Sequence, residues 1–378
     1  MCLMKNDSRF SVQNKRTIIT FLNDIQAEGV GLARVVKYLY LLPECARRLR
    51  KDFTSTDVND LRKLVAGINQ SHYSESTKSD FRVALKRFYS WLRKCAPGQS
   101  PPETAWIKSG DHIKMILPEE LLTEEEILQM VQVCENSRDR GFLLCTFETG
   151  GRIGELLNLR RKHVGFDQYG AVLLCSGKTG DRRVRIIASA PALAQWMNDH
   201  PLKVPDSPLW VVIGDKNHGE PLLYHSSRAL LRRLAERAQI RKRANPQSFR
   251  HARASLLANI LTERQLEQYL GWTSGSKMPK IYVHLSGRDV DSALLKIHGI
   301  QIAERDRSKA KLTRTICPRC ILDNGPGDKF CAKCALPIGI DTALNVDQER
   351  IEADDLMSKL LDDPDVRTLL LEKLKSLM

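Results

Sequence analysis

Two sets of residues in this chain have types and spacings that can do chemistry. The first is Cys317-Pro-Arg-Cys320, ten further residues, then Cys331-Ala-Lys-Cys334. Paired Cys-x2-Cys turns can bring four thiolates to the corners of one tetrahedral metal site, and zinc is the default ion for such a set. The joining loop, Asn324-Gly-Pro-Gly-Asp328, is rich in Gly and Pro, and the segment has too little apolar sequence to fold without a metal. A closed four-Cys site leaves no open coordination position, so its role is structural; an iron–sulfur or redox centre is the alternative. Ile321 and Ala335 stand where glycine often follows the second Cys of such turns. Arg319, Lys329 and Lys333 are compatible with a module that touches DNA, and contact with protein is the alternative.

The second set is dispersed. Thr149-Gly-Gly-Arg152-Ile-Gly-Glu155 places an arginine at a helix start, after glycines that permit a tight turn, with a carboxylate one helical turn on that can orient the guanidinium. Lys178 sits at the tip of an expected hairpin, where an ammonium can bind a phosphate or donate a proton. Gln247-Ser-Phe-Arg250-His251 opens a helix after Pro246; Leu270-Gly271-Trp272 then precedes Lys280-Ile-Tyr282-Val-His284. Taken singly, each has an ordinary structural reading: a surface ion pair, a solvated turn, a core tyrosine. Between Tyr224 and Arg253 lie nine Lys or Arg residues, among them Arg228, Arg232, Arg241 and Arg243, against the single carboxylate Glu236. That density without compensating acids is the footprint of phosphate contact.

The elements that must position these residues are mostly helical. Apolar stripes at Ile18, Leu22 and Ile25, at Val58, Leu61, Leu64, Val65 and Ile68, and at Phe81, Leu85, Phe88 and Leu92 mark helices over residues 15–95, the second behind the capping candidates Thr56 and Asp57. Residues 1–100 hold 18 Lys or Arg against 9 Asp or Glu, a basic helical domain. Pro97-Gly98, Pro101-Pro102 and Pro118 then break helical sequence. Thr123 with Glu126 three residues later is a capping-box signature. The helical pattern beyond it is interrupted by Ala171–Cys175 and Arg183–Ile187, two expected strands around a Gly-bounded turn, with Pro208–Ile213 an expected third strand.

The chain has 378 residues and a net charge of +14. Residues 341–378 hold ten acidic and five basic side chains, so the preceding body carries +19. Such a charge favours an anionic partner, and with aromatics at only 6% that partner is duplex DNA rather than stacked single strands. No apolar run approaches the ~18–20 residues that cross a bilayer. Met1–Phe10 lacks the apolar core of a signal peptide. A cytoplasmic, nucleoid-associated protein with reduced cysteines and no membrane partner is expected.

In order along the chain, Arg152 with Glu155, Lys178 in a β-turn, Arg250 on a helix, Gly271-Trp272 and Tyr282 resemble the tyrosine recombinase (phage integrase) family over about residues 120–300. Residues 268–290 and the trailing cysteine module look closest to archaeal integrases. The resemblance implies a helical, SAM-like core-DNA-binding domain (10–96), a linker (97–121), a mixed α/β catalytic domain (122–300), a four-Cys zinc ribbon (311–340) and an acidic helical tail (341–378), in a mostly α protein. It implies that Tyr282 is the nucleophile, with Tyr269 and Tyr224 the next candidates, and that the cut leaves a 3′-phosphotyrosyl link and a free 5′-hydroxyl. Arg152, Lys178, Gln247, Arg250 and Trp272 complete the site, supported by Glu155. It further implies a homo-oligomer on DNA, dimeric on one site and tetrameric in synapsis, with no catalytic cofactor. Gln247 departs from the family, whose pattern has histidine there. A glutamine can hydrogen-bond a phosphate but cannot shuttle a proton near neutral pH. A type IB topoisomerase activity and a non-catalytic DNA-binding regulator are the alternatives.

A body of this charge that meets several phosphates is expected to lose roughly 10³-fold or more in duplex affinity between 50 and 200 mM salt. A salt titration of binding checks this, and a flat response would count against duplex DNA as the main partner.

Overall fold

The computed structural model describes residues 11–108, 117–177, 180–258, 260–285, 294, 297–298, 312–364, 366 and 368. The chain divides into two units, Met1–Lys114 and Met115–Met378.

The first unit is helical: α1 (Val12–Ala27), α2 (Leu32–Leu49), α3 (Val58–Asn69) and α4 (Glu75–Leu92). The expected stripes become its core. Ile18, Leu22 and Ile25 are buried with Leu61, Leu64, Val65, Ile68, Phe81, Leu85 and Phe88. Phe21 stands edge-on to Tyr38, Phe88 and Trp91, with ring centroids 5.2–5.3 Å apart, the geometry that aromatic quadrupoles favour. Asp57, not Thr56, caps α3: its carboxylate accepts from the Asp60 amide at 2.9 Å, while the Thr56 hydroxyl donates to Asp52 O. A further helical turn, α5 (Pro102–Ala105), lies within the stretch expected to be linker. Pro102 stands in its first turn, where an N–H is not needed, and Ile107 just beyond joins the same core.

The second unit runs α6 (Glu124–Gln132), α7 (Ser137–Thr149), α8 (Ile153–Leu157), β1 (Val164–Asp167), β2 (Gly170–Gly177), β3 (Gly180–Ile186), α9 (Ala190–Asp199), α10 (Tyr224–Arg237), α11 (Pro246–Ala258), α12 (Glu263–Leu270) and α13 (Met278–Leu285). Thr123 and Glu126 form the expected capping box at the start of α6. From Gly141 to Thr149 every residue of α7 is buried, which is why this helix shows no single apolar stripe. Its Glu148 carboxylate accepts the amides of Ile187, Ala188 and Ser189 and the Ser189 hydroxyl at 2.6–3.1 Å, tying the exit of β3 and the start of α9 to α7.

The sheet is antiparallel in the order β1-β2-β3, and Gly177 pairs with Gly180 across the hairpin end. Its third strand is β1, not the expected Pro208–Ile213. That segment makes only single bridges, Arg160 to Pro208 and Val211 to Pro221. Leu209, Trp210 and Val211 are apolar because they are fully buried core, whereas β1 is mostly exposed and carries no apolar alternation.

In the cysteine module β4 (Thr315–Ile316) pairs with β5 (Asp323–Asn324). The two Cys turns fold alike. The Cys317 and Cys331 amides donate to Leu322 O and Leu336 O, and the Ile321 and Ala335 amides donate back to Cys317 O and Cys331 O. The module packs on the rest of the unit through its joining loop: Asp328 pairs with Arg140 of α7 at 2.7 Å, and the Gln132 amide donates to Gly327 O at 2.9 Å. Beyond it, α14 (Ile340–Asp362) is the expected acidic helix and has no buried residue. No helix among the described residues is long and apolar enough to cross a membrane.

Ile321 and Ala335 occupy the left-handed region, at φ 58° and 56°. For an L residue this conformation costs roughly 1–2 kcal/mol, most for a β-branched one. Ile321 is 79% exposed and has little packing to lose. Ile321→Gly is therefore expected to stabilise this turn by about 0.5–1 kcal/mol after the added unfolded-chain entropy of glycine. Slower hydrogen exchange at the Cys317 amide would show it; faster exchange would contradict it.

Candidate active site

The site is built around one buried carboxylate. Gly150 ends α7 at φ 52°, and a Cβ there would lie 3.0–3.1 Å from Leu270 and Arg253, so glycine is required for both conformation and space. The chain turns into α8 with Arg152 as its N-cap and Glu155 at the third position. Glu155 is 3% exposed. One oxygen accepts Arg152 Nη1 at 2.9 Å; the other accepts Arg182 Nη1 from β3 at 2.6 Å. Arg182 Nε donates to Tyr269 O at 3.1 Å, and its Nη2 is buried with no hydrogen-bond partner among the described residues. Gly271, the left-handed cap of α12 at φ 66°, covers this guanidinium; a Cβ there would fall 2.4 Å from Arg182 Nη1.

Arg250, on α11, is 4% exposed and donates to Gly150 O and Leu270 O at 2.9 and 2.8 Å. Its guanidinium lies 5.4 Å from the centre of the Trp272 ring, and Trp272 stacks on Tyr282 at 5.5 Å with 12° between planes. Burial, with repulsion from Arg152, pulls the Arg250 pKa down to about 10. Tyr282, on α13, is 1% exposed, and burial pushes its phenol up to about 12 against the opposing pull of Arg250. Its hydroxyl meets His251 Nδ1 at 2.5 Å, and His251 Nε2 meets the Gln247 amide at 3.1 Å. Burial and Arg250 hold the His251 pKa below its ordinary value.

The structure thus brings Arg152, Glu155, Gln247, Arg250, Trp272 and Tyr282 into one connected cluster, linked by side-chain contacts and by the Gly150 and Leu270 carbonyls. Lys178 lies outside the described residues. Arg228, Arg232, Arg241 and Arg243 are exposed and line a separate open groove along α10 and the segment after it. Of the other tyrosines considered, Tyr269 is committed to donating to Glu148 O at 3.0 Å, and Tyr224 is exposed in the α10 groove. Two cluster members escape sequence reasoning. Arg182 is one of several arginines on β3, and nothing local marks it as the partner of Glu155. His251 follows Arg250 directly, and only the i, i+4 spacing from Gln247 hints that the two share a helix face.

The four thiols Cys317, Cys320, Cys331 and Cys334 lie within 4.8 Å of one another. The Cys317–Cys334 and Cys320–Cys331 sulfurs are 3.5 and 3.4 Å apart, far beyond the ~2.05 Å of a disulfide but close enough for four sulfurs to share one ion. Two of the four are buried, and the set is all sulfur, so it can hold a thiophilic metal ion.

An arginine pair, an indole and a buried tyrosine are gathered beside a basic hairpin, and residues 120–288, which hold them, match the phage integrase family. It is 25% identical to tyrosine recombinase XerA of Pyrococcus furiosus over 278 residues, which cover 72% of this chain and 91% of that protein. Among solved structures, XerH site-specific recombinase bound to palindromic difH substrate is similar with a TM-score of 0.58 and 20% identity, covering 79% of this chain and 92% of that one. A λ integrase tetramer bound to a Holliday junction is similar with a TM-score of 0.55 and 13% identity, covering 71% and 76%. At these identities the structural likeness establishes the fold.

Proposed function

We propose that this chain is a site-specific DNA recombinase of the integrase type, which cuts and rejoins duplex DNA through Tyr282. The observation that carries this reading is the stack of Arg250, Trp272 and Tyr282 beside Arg152, a nucleophile layered against phosphate-binding cations. Tyr282 Oη attacks a phosphodiester and leaves a 3′-phosphotyrosyl link and a free 5′-hydroxyl. Arg152 and Arg250 stabilise the charge that builds on the non-bridging oxygens. Lys178 protonates the leaving 5′-oxygen. Trp272 orients the phenol, and Gln247 adds a hydrogen bond within the site. The 5′-hydroxyl of a partner strand then reverses the step. The bond energy is kept in the phosphotyrosine, so no nucleotide is consumed.

Arg228, Arg232, Arg241 and Arg243 bind the phosphate backbone flanking the cut, and the first unit, also basic, grips the same duplex. The active form is a dimer on one site and a tetramer in synapsis, as for the λ integrase tetramer on its junction. A structural zinc ion closes the four-Cys ribbon, which leaves no position open for substrate. The named relatives are recombinases and an integrase, which favours strand exchange over relaxation alone.

Trapping on a nicked suicide duplex, selected by this chain from a randomised library, tests the reading. Tyr282→Phe is expected to keep DNA binding and lose all covalent adducts, since one hydroxyl is deleted with little change in packing. Adducts that persist would place the nucleophile elsewhere. Arg152→Ala and Arg250→Ala are expected to slow cleavage by ~10²–10³-fold while weakening binding far less, because each serves charge that develops in the transition state. Equal losses of binding and cleavage, measured side by side, would make them ordinary backbone contacts.

A further inference from the structure

The family's histidine is missing at position 247, yet a histidine touches the tyrosine hydroxyl. We propose that His251 accepts the Tyr282 proton during cleavage and that Gln247 is a positioning residue that orients the His251 imidazole. This inference rests on the reading of Tyr282 as the nucleophile.

The geometry is specific. His251 Nδ1 is 2.5 Å from Tyr282 Oη, and the two rings lie 5.7 Å apart at 33°. Gln247 and His251 are four residues apart on α11, so their side chains share a face, and the Gln247 amide reaches His251 Nε2 at 3.1 Å. The imidazole is thereby held at both nitrogens. Arg250, between them in sequence, turns to the Gly150 and Leu270 carbonyls and does not compete for either nitrogen. The groups that act on the His251 charge among the described residues are Tyr282 from α13 and Arg250 from its own helix. Neither is an anion at neutral pH, and burial adds to the effect, so the imidazole is neutral and able to take a proton.

Proton bookkeeping decides what Gln247 does. For Nδ1 to accept from the phenol, the imidazole proton must sit on Nε2, and Gln247 must offer its oxygen there. A half-turn of the amide exchanges oxygen for nitrogen in the same space. As Oη bonds to phosphorus, its proton passes to Nδ1, and the imidazolium then donates from Nε2 to Gln247 Oε1. The P–O5′ bond breaks, and the leaving oxygen takes a proton from Lys178 as assigned above. In the return step the incoming 5′-hydroxyl gives its proton to the neutral Lys178 amine as its oxygen bonds to phosphorus, and the displaced Oη recovers its proton from Nδ1. A phenol pushed up to about 12 needs such an acceptor, because almost none of it ionises unaided at neutral pH. A positioned base of this kind contributes typically ~10²–10⁴-fold.

The test uses the full chain and the library-selected suicide duplex. Wild-type cleavage should fall on the acid side as His251 protonates, at a pH below the ~6.5 reference value of histidine. His251→Gln should cleave ~10²-fold or more slowly at neutral pH, bind DNA normally, lose that acid limb and recover as rising pH ionises the phenol. His251→Ala should be partly rescued by added imidazole, which a packing defect would not be. Gln247→Glu places a carboxylate on Nε2 and should move the acid limb to higher pH; a purely structural glutamine would not shift it. Cleavage by His251→Gln at the wild-type rate across the pH range overturns the proposal while leaving Tyr282 as nucleophile, and so does an acid limb unmoved in Gln247→Glu. Adducts that survive in Tyr282→Phe overturn the nucleophile reading itself, and this inference with it.

Discussion

Glu155 holds two guanidiniums at once, and the cluster is arranged around that contact. Its two oxygens are divided between Arg152, three residues earlier on the same short helix, and Arg182, across on β3. A buried carboxylate between two cations is strongly held, because loss of any partner leaves an uncompensated charge away from water. Through Arg182 the contact extends to Tyr269 O on α12 and to Gly271, the residue before Trp272. The two glycines that look like mere turn residues in the sequence serve this packing. Gly150 lets α12 and Arg253 approach and offers its carbonyl to Arg250; Gly271 leaves room for Arg182. A methyl group at either place would push against a charged side chain or its support.

The same cluster is rich in buried positive charge. Arg152 and Arg182 both pair with Glu155, and burial, with repulsion from Arg152, draws the Arg250 pKa down to about 10. Burial of a guanidinium costs free energy that a nearby anion would offset. A phosphodiester brings one negative charge and gains a second as a nucleophile adds to phosphorus. Guanidiniums placed around such a phosphate would gain more from the transition state than from the ground state.

What the sequence makes legible is local. Helix caps at Asp57 and Thr123 can be read because a cap and its partner lie three residues apart. The four cysteines can be read because each pair fixes its own turn; the structure brings the pairs together as their spacing implies. Stripes such as Ile18, Leu22 and Ile25 announce a buried face. What stays hidden is non-local or lacks contrast. Arg182 meets Glu155 across 27 residues and Tyr282 meets His251 across 31, distances at which no periodicity or spacing carries information. β1 is four residues with an exposed Phe166 and a glycine, so it has no strand pattern, while the buried run Leu209–Val211 imitates one. The resemblance to a family orders Arg152, Arg250, Trp272 and Tyr282, and it takes His251 as the residue that commonly follows the arginine and not as a replacement at position 247, but it is silent on Arg182 and on the contact of His251 with Tyr282.

The cysteine module belongs to the same physical argument. A segment with so few apolar residues cannot hold a fold by burial, and two of its turns place side-chain-bearing residues, Ile321 and Ala335, in a conformation that favours glycine. A metal bound by four thiolates supplies free energy of the needed size. The module also leans on the rest of the second unit. Asp328 is half-buried against Arg140, and burial raises its carboxyl pKa despite that partner. Its second carboxylate oxygen accepts the Gly325 amide at 2.6 Å, so the loop is closed on itself as well as clipped to α7. Arg140 sits near the start of α7, and the far end of that helix is Thr149, next to the Gly150 carbonyl that fixes Arg250. One almost wholly buried helix thus carries the ribbon's anchor at one end and the support of Arg250 at the other. The ribbon is packed as part of the second unit and not hung from it as a separate appendage.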